Sequence, residues 1–294
     1  MNATVAIRAG RHTVAVSRPD KPLFPCGITK ADLARYYETV APAMLPHIAG
    51  RPLNLERYPD GIAGPRIIQQ RAGTHFPDWI ERVTVPKKGG TVRHVLANDR
   101  PTLLWLAQQG CVTPHVFPRR ADKLDKPDRL VIDLDPSTDD FDGVRRASLA
   151  CGEALREHGL EPFAMVTGSR GIHVVAPLKR TRDVAGVLAW SRAFAGELAE
   201  RNEAGLTTEF HKDKRGDRIY VDVARNGAAQ TVVPPYAPRP RAGAPVATPL
   251  RWEELDDRGL RPDAWSMRTV LERLDALGGD PWAEIDQAAR PLSR

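Results

Sequence analysis

Two aspartates, Asp133 and Asp135, end the apolar run Arg129-Leu-Val-Ile-Asp-Leu134, and a third, Asp222, sits in the similar run Arg218-Ile-Tyr-Val-Asp222-Val223. In an extended strand, side chains two apart project from the same face about 7 Å from one another. Carboxylates held beside hydrophobic surface lose solvation and repel each other, and a divalent cation between them relieves both penalties. Were the two runs to lie side by side, three converging carboxylates could bind two divalent ions about 4 Å apart, which activate an attacking hydroxyl and steady a departing phosphate group. Oxygen-only ligands suit magnesium or manganese. Two other readings of the pair stay open: an Asp-x-Asp that only caps the next loop, and the nucleophile motif of haloacid-dehalogenase-type phosphatases, which stands near the start of the chain in that class.

Anion-binding chemistry surrounds these acids. The segment Thr167-Gly-Ser-Arg-Gly-Ile-His173 joins two strand-like runs, and its glycines let backbone N–H groups approach an anion. Ser169 offers a hydroxyl, and His173 opens the following strand. Arg215, Arg225 and Arg239 cluster around Asp222 in sequence, and guanidinium forks match phosphate oxygens. His115 lies in the apolar, proline-bounded stretch Thr113-Pro-His-Val-Phe, where a core role competes with ligand contact. Lys21 and Lys30 flank Leu23-Phe24-Pro25 and together can hold a phosphate, or stand as ordinary solvated lysines.

The elements that must position these groups follow from periodicity. Residues 129–134 read as a buried strand, about 142–158 as a helix, 162–167 and 172–176 as strands across the glycine-rich turn, about 183–201 as a second amphipathic helix, and 218–223 as a strand. Strand, helix, strand, strand, helix, strand is the order of a split βαβ, ferredoxin-like sheet. Ahead of it, 13–16, 53–58 and 92–95 read as extended. A helix starts near Thr29, where Thr29 with Asp32 resembles a capping box, and another spans about 102–109 before Gly110. The expected architecture is α+β: an N-terminal α/β lobe over residues 1–125 packed against a catalytic, palm-like lobe over 126–294, together one compact unit.

Composition is consistent with this. The 294 residues, 41% hydrophobic and 27% charged, can bury a sizeable core, and 26 prolines against 23 glycines favour rigid turns over loose linkers. Forty-three basic against 37 acidic residues give a net charge of +6, which suits a polyanionic partner. Three dispersed cysteines, Cys26, Cys111 and Cys151, fit a reducing cytoplasm, and neither an export signal nor a membrane-length apolar run occurs.

Taken together, these residues resemble the polymerase domain of bacterial ligase D, in the archaeo-eukaryotic primase superfamily. The likeness runs from Asp20 to Trp282 and is densest in Thr29-Lys30-Ala-Asp-Leu, Gly50-Arg-Pro-Leu, Pro77-Asp-Trp79, Pro127-Asp-Arg-Leu-Val-Ile-Asp-Leu-Asp-Pro136, Gly171-Ile-His-Val-Val-Ala-Pro-Leu178, Val221-Asp222 with Arg225-Asn226, and Gly243-Ala-Pro-Val-Ala-Thr-Pro-Leu250. It implies a template-dependent primase-polymerase with a primase-type core. Asp133, Asp135 and Asp222 would hold two manganese or magnesium ions. Ser169, His173, Arg215, Arg225 and Arg239, with His115 nearby, would contact the incoming NTP or dNTP. Lys21 and Lys30 would recognise the 5′-phosphate of gapped or broken duplex DNA. Ribonucleotide preference, the end-binding protein Ku and a DNA ligase belong to the same expectation. Two departures from the family stand out: Ile67-Ile68-Gln69-Gln70 replaces paired aromatics followed by Gln-Lys, and no ligase or phosphoesterase segment accompanies the domain, as in a stand-alone relative. A DNA-end-binding module with a lapsed active site is the non-enzymatic alternative.

Overall fold

β-Branched and aliphatic residues alternate through the second half of the chain in a way that suits strands buried on both faces, and those strands build its central sheet. The computed structural model describes residues 3–201 and 205–293. In chain order the regular elements are β1 (Thr4–Ala9), β2 (His12–Ser17), α1 (Lys30–Ile48), β3 (Pro52–Arg57), β4 (Ile67–Gln69), β5 (Arg82–Lys87), β6 (Gly90–Leu96), α2 (Arg100–Gln108) and β7 (Cys111–Val116). They continue with β8 (Arg129–Asp135), α3 (Phe141–Glu157), β9 (Phe163–Val166), β10 (Ile172–Pro177), α4 (Val184–Arg201), β11 (Leu206–Thr207), β12 (Ile219–Asp222), β13 (Thr248–Pro249) and α5 (Val270–Leu277). None of these helices is long and apolar enough to cross a membrane.

The central sheet runs β11-β12-β8-β10-β9-β13. Its β12-β8-β10-β9 core, paired antiparallel throughout, is the order expected of a split βαβ unit, and a mixed α+β fold is therefore what the protein has. Alternation sorts the residues of β8. Leu130, Ile132 and Leu134 face a core shared with α3 and α4, including Val144, Cys151, Phe194 and Leu198. Val131 faces the other way and, with Met165 and Val175, joins the core of the N-terminal elements. Asp133 and Asp135 share that second face, at the end where the two layers part.

A second sheet, β4-β3-β6-β5 with β7 on β3, carries the N-terminal layer. α1 begins at the expected capping box, Thr29 Oγ1 accepting from the Asp32 backbone and Asp32 Oδ2 from the Thr29 N–H. Strands β1, β4 and β5 escape periodicity analysis because they are exposed, and their polar and apolar residues do not alternate cleanly. The chain after β12 returns to the first core: Val232, Val233, Tyr236, Ala237 and Val246 pack there, and Val232 bridges to Val116 of β7.

One buried ion pair ties the layers together. Arg51, between α1 and β3, donates Nη1 and Nη2 to Asp128 Oδ1 and Oδ2 at 2.7 Å each, just before β8. Burial opposes ionisation of Asp128, but the charge and hydrogen bonds of Arg51, with Arg129 and Arg120 beside it, hold its carboxyl far below the ordinary range. Removing one partner of such a pair strands the other. Arg51→Met should therefore destabilise the protein by about 3 kcal/mol in urea unfolding at pH 7. A depressed carboxylate stabilises above its unfolded pKa near 4 and loses that contribution as pH falls, so the gap between variant and wild type should narrow below about pH 4.

Candidate active site

Register decides the meeting of the acids. Asp222 lies directly opposite Asp133 across the β12–β8 ladder, and His173 lies opposite Asp133 on the β10 side. Side chains directly opposite in an antiparallel pair share a face, so three acids and an imidazole converge. Asp133, Asp135 and Asp222 each offer a carboxylate oxygen within 4.8 Å of the others. Asp133 and Asp222 are buried and Asp135 is half-buried. An all-oxygen set of this charge fits a divalent cation of the magnesium or manganese type.

The protein offsets only part of the repulsion. His173 Nε2 stands 3.4 Å from Asp133 Oδ1, and Arg225 Nε stands 3.4 Å from both Asp133 Oδ2 and Asp222 Oδ2. Burial would raise the Asp133 carboxyl, but His173 and Arg225 bring it below the ordinary value. For Asp135 the balance goes the other way: burial, then the charge of Asp133, with a further push from Asp222, outweigh His173 and Arg225 and raise it to about 6. Asn226 holds the arginine in place, pairing with both backbone groups of Val131: its Oδ1 accepts from the Val131 N–H at 2.9 Å and its Nδ2 donates to the Val131 carbonyl at 2.8 Å.

A cleft of about 220 Å³ opens over the acids, lined by His115, Thr167, Ser169, Arg170, His173, Arg225, Thr231 and Arg239. The glycine turn forms one wall. Gly168 has φ 64°, and a Cβ there would press on the backbone of residues 246 and 247 as well as on Arg239, so glycine allows the turn to sit against the Arg239 segment. A Cβ on Gly171 would press still harder on the Leu134 carbonyl oxygen, leaving no room for a side chain. Arg239 donates Nη1 to the Thr167 carbonyl at 3.1 Å, while its Nε and His173 Nδ1 are buried without a hydrogen-bond partner among the described residues.

The structure thus brings His115, Ser169, His173, Arg225 and Arg239 to one cleft with the acids. Arg215 does not line this cleft: it is buried, its guanidinium 3.9 Å from the centroid of the Tyr220 ring, with Nε and Nη2 on the Glu209 and Phe210 carbonyls, and Tyr220 is the register partner of Asp135. Lys21 and Lys30 form a separate group. Lys21 Nζ reaches Asp60 at 2.5 Å, and buried Lys30 donates to the Ser17 carbonyl at 3.0 Å. Burial lowers Lys30 to about 8, with Arg18, Lys21 and Arg57 adding like charge, so four cations crowd one spot. Ile67 and Ile68 are exposed on the edge strand β4.

Sequence reasoning missed three contributors. Glu56 of β3 binds His115 Nε2 through Oε2 at 2.9 Å, and its Oε1 accepts from Arg66 and Tyr58, which fixes the imidazole at the cleft wall. The one acid in the extended run 53–58 was its only signal. Arg241, two residues beyond Arg239 across a tight turn, donates to Ser169 Oγ at 2.6 Å. Thr231 gave no signal.

Against known proteins, the family model described as LigD, primase-polymerase domain, matches residues 29–282. The chain is 34% identical over 285 residues to the multifunctional non-homologous end joining protein LigD of Mycolicibacterium smegmatis, covering 94% of this chain and 36% of that protein. It is 33% identical over 300 residues to the multifunctional non-homologous end joining DNA repair protein LigD of Mycobacterium tuberculosis, covering 97% of this chain and 39% of that one. The chain thus spans well under half the length of these relatives. Among solved structures it is similar to a polymerase domain from Mycobacterium tuberculosis ligase D in complex with DNA, at a TM-score of 0.88 and 32% identity, covering 94% of this chain and 99% of that one.

The strained carboxylate gives the site a pH signature. A carboxyl raised to about 6 costs the fold stability above its unfolded pKa, and fully so above about pH 6. Asp135→Asn should therefore raise the melting temperature in chelator at pH 8, with the gain vanishing near pH 4. Manganese should stabilise wild type but not the variant, and its affinity for wild type should weaken as pH drops through 6. Equal manganese stabilisation of both proteins would exclude Asp135 as a ligand.

Proposed function

We infer that this chain, which belongs to the LigD primase-polymerase domain family, adds nucleotides to 3′ ends at gaps or breaks in DNA, directed by a template. It is a nucleotidyltransferase of the primase-polymerase kind. The observation that carries the mechanism is the convergence of three carboxylates beneath a cleft walled by guanidinium and imidazole groups.

Asp133, Asp135 and Asp222 would hold two manganese or magnesium ions, which when bound would supply the charge that activates a 3′-hydroxyl and steadies departing pyrophosphate. The chain's own groups do the rest. Arg225 and Arg239 bind the triphosphate by forked hydrogen bonds, Ser169 and the backbone of the glycine turn cradle it, and His173 offers a donor beside Asp133. His115, fixed by Glu56, borders the nucleotide. Arg215 acts at a distance, by ordering the loop it clamps. Residues 126–294 supply the catalytic lobe, and 1–125 grip the DNA end.

Lys21 and Lys30 receive the 5′-phosphate at the far side of a gap. Lys30, lowered to about 8 by burial and by the charges of Arg18, Lys21 and Arg57, favours a dianion, which would take Lys21 from Asp60. Ile67 and Ile68 then face DNA as an apolar edge without aromatic stacking. Ribonucleotides are the preferred substrates, and Ku and a DNA ligase are the partners, acting on the bacterial chromosome in the cytoplasm. A phosphatase of the haloacid-dehalogenase type fits poorly, because its motif opens a parallel sheet and the sheet here is antiparallel around β8.

Extension of a 5′-phosphorylated gapped duplex with rNTPs or dNTPs in manganese tests the reading directly. Asp133→Ala and Asp222→Ala should each abolish nucleotide addition while keeping a cooperative melt in chelator, since each also takes a partner from Arg225. Addition by either purified variant would refute the metal assignment. Lys21→Glu should cut the preference for 5′-phosphorylated over unphosphorylated gaps by about tenfold while leaving extension of unphosphorylated templates near wild type. An equal loss on both templates would remove the 5′-phosphate role.

A further inference from the structure

Phe210 exposes 71% of its surface, more than any other large hydrophobic side chain among the described residues. A single apolar side chain at the surface ordinarily means little, but this one is held outward by buried structure. It lies in the loop from β11 to β12, and Arg215 of that loop is only 5% exposed. The Arg215 guanidinium covers the Tyr220 ring and grips the carbonyls of Glu209 at 2.8 Å and Phe210 at 2.6 Å. The Phe210 ring stands near-perpendicular to Tyr220, with centroids 6.4 Å apart at 80°, and to His211, at 5.6 Å and 84°, and most of it stays open to solvent. Tyr220 is the register partner of Asp135, so this ring stands beside the triad.

Its side of the triad matters. The proposed triphosphate groups Ser169 and His173 lie on the β9–β10 side of β8, whereas Phe210 lies beyond β12 on the opposite flank. In-line displacement needs the attacking and leaving oxygens on opposite sides of the phosphorus. Of the proposed triphosphate groups only Arg225 stands on the β12 side; opposite Ser169, His173 and Arg239, a strand bringing a 3′-hydroxyl approaches from the β12 flank. Exposed Lys212 and Lys214 in the same loop offer charge to its phosphates. Aromatic faces bind bases without regard to sequence, which suits an enzyme extending arbitrary ends.

We propose that Phe210 is a stacking platform for a base at the 3′ end of the strand being extended, with Lys212 and Lys214 against its backbone. The proposal rests on the polymerase reading above. The test uses the full chain with a primer–template whose 3′-terminal base is 2-aminopurine, a fluorophore quenched by stacking. Phe210→Ala should abolish the extra quenching on binding and raise the KM for primer–template about tenfold, with the nucleotide KM changed by less than about twofold. Phe210→Trp should restore both, which separates stacking from loss of fold. Wild-type quenching and primer KM in Phe210→Ala, or an equal rise in both KM values, would overturn the platform. A wild-type protein that binds primer but never extends it would instead sink the polymerase reading.

Discussion

Carboxylates repel, and the register of β12 on β8 leaves Asp222 and Asp133 no way apart. Directly opposed on neighbouring antiparallel strands, with Asp135 two residues along, they put oxygens within 4.8 Å of one another in a half-buried setting. A sheet rather than a loop supplies this proximity, so it cannot relax by side-chain rotation alone. Positive charge around the triad follows from that constraint. His173 and Arg225 stand at 3.4 Å and neutralise Asp133 and Asp222 in part, while Asp135 keeps a carboxyl raised to about 6. The remaining imbalance is what makes a divalent cation fit the site.

The rest of the molecule reads as scaffolding for that sheet end. Leu130, Ile132 and Leu134 anchor one face of β8 in the helical core, and Val131 anchors the other in the N-terminal core, so Asp133 and Asp135 have little freedom of position. The Arg51–Asp128 pair fixes the start of the same strand. Asn226 takes the place of a backbone partner for Val131 and thereby aims Arg225. Arg239 arrives through a segment in which Tyr236 adopts φ 65°, held by its hydroxyl on Asp280 at 2.5 Å and by Tyr36 on its carbonyl at 2.7 Å. Backbone strain of this kind persists only where surrounding contacts over-determine it.

Family membership and geometry bear on different questions. Similarity to LigD primase-polymerase domains over nearly the whole chain accounts for the fold and the class of chemistry. Individual side chains can still differ: the edge strand β4 presents Ile67 and Ile68 to solvent, and the loop before β12 presents Phe210. Both are apolar surfaces on a protein of net charge +6, and both flank the cleft's surroundings rather than its acidic base.

Local pattern determined a good deal. The alternation in 129–134, the capping box at Thr29, the two amphipathic helices and the glycine turn each depend on neighbours in sequence, and the split βαβ order follows from them. The pairing of Asp133 with Asp135 was legible for the same reason, because a period of two fixes which side chains share a face. Tertiary structure alone decided what distant segments share. Asp222 opposite Asp133 depends on strand register, Glu56 behind His115 on β3 pairing with β7, and Arg241 on Ser169 on the return of the chain after β12. Arg215 is a further case: its position near Asp222 in sequence suggested a phosphate ligand, and only the fold shows that its guanidinium lies over Tyr220 and bonds two carbonyls. Spacing along a chain reports the direction of side chains within one element, whereas long-range packing fixes which of them meet.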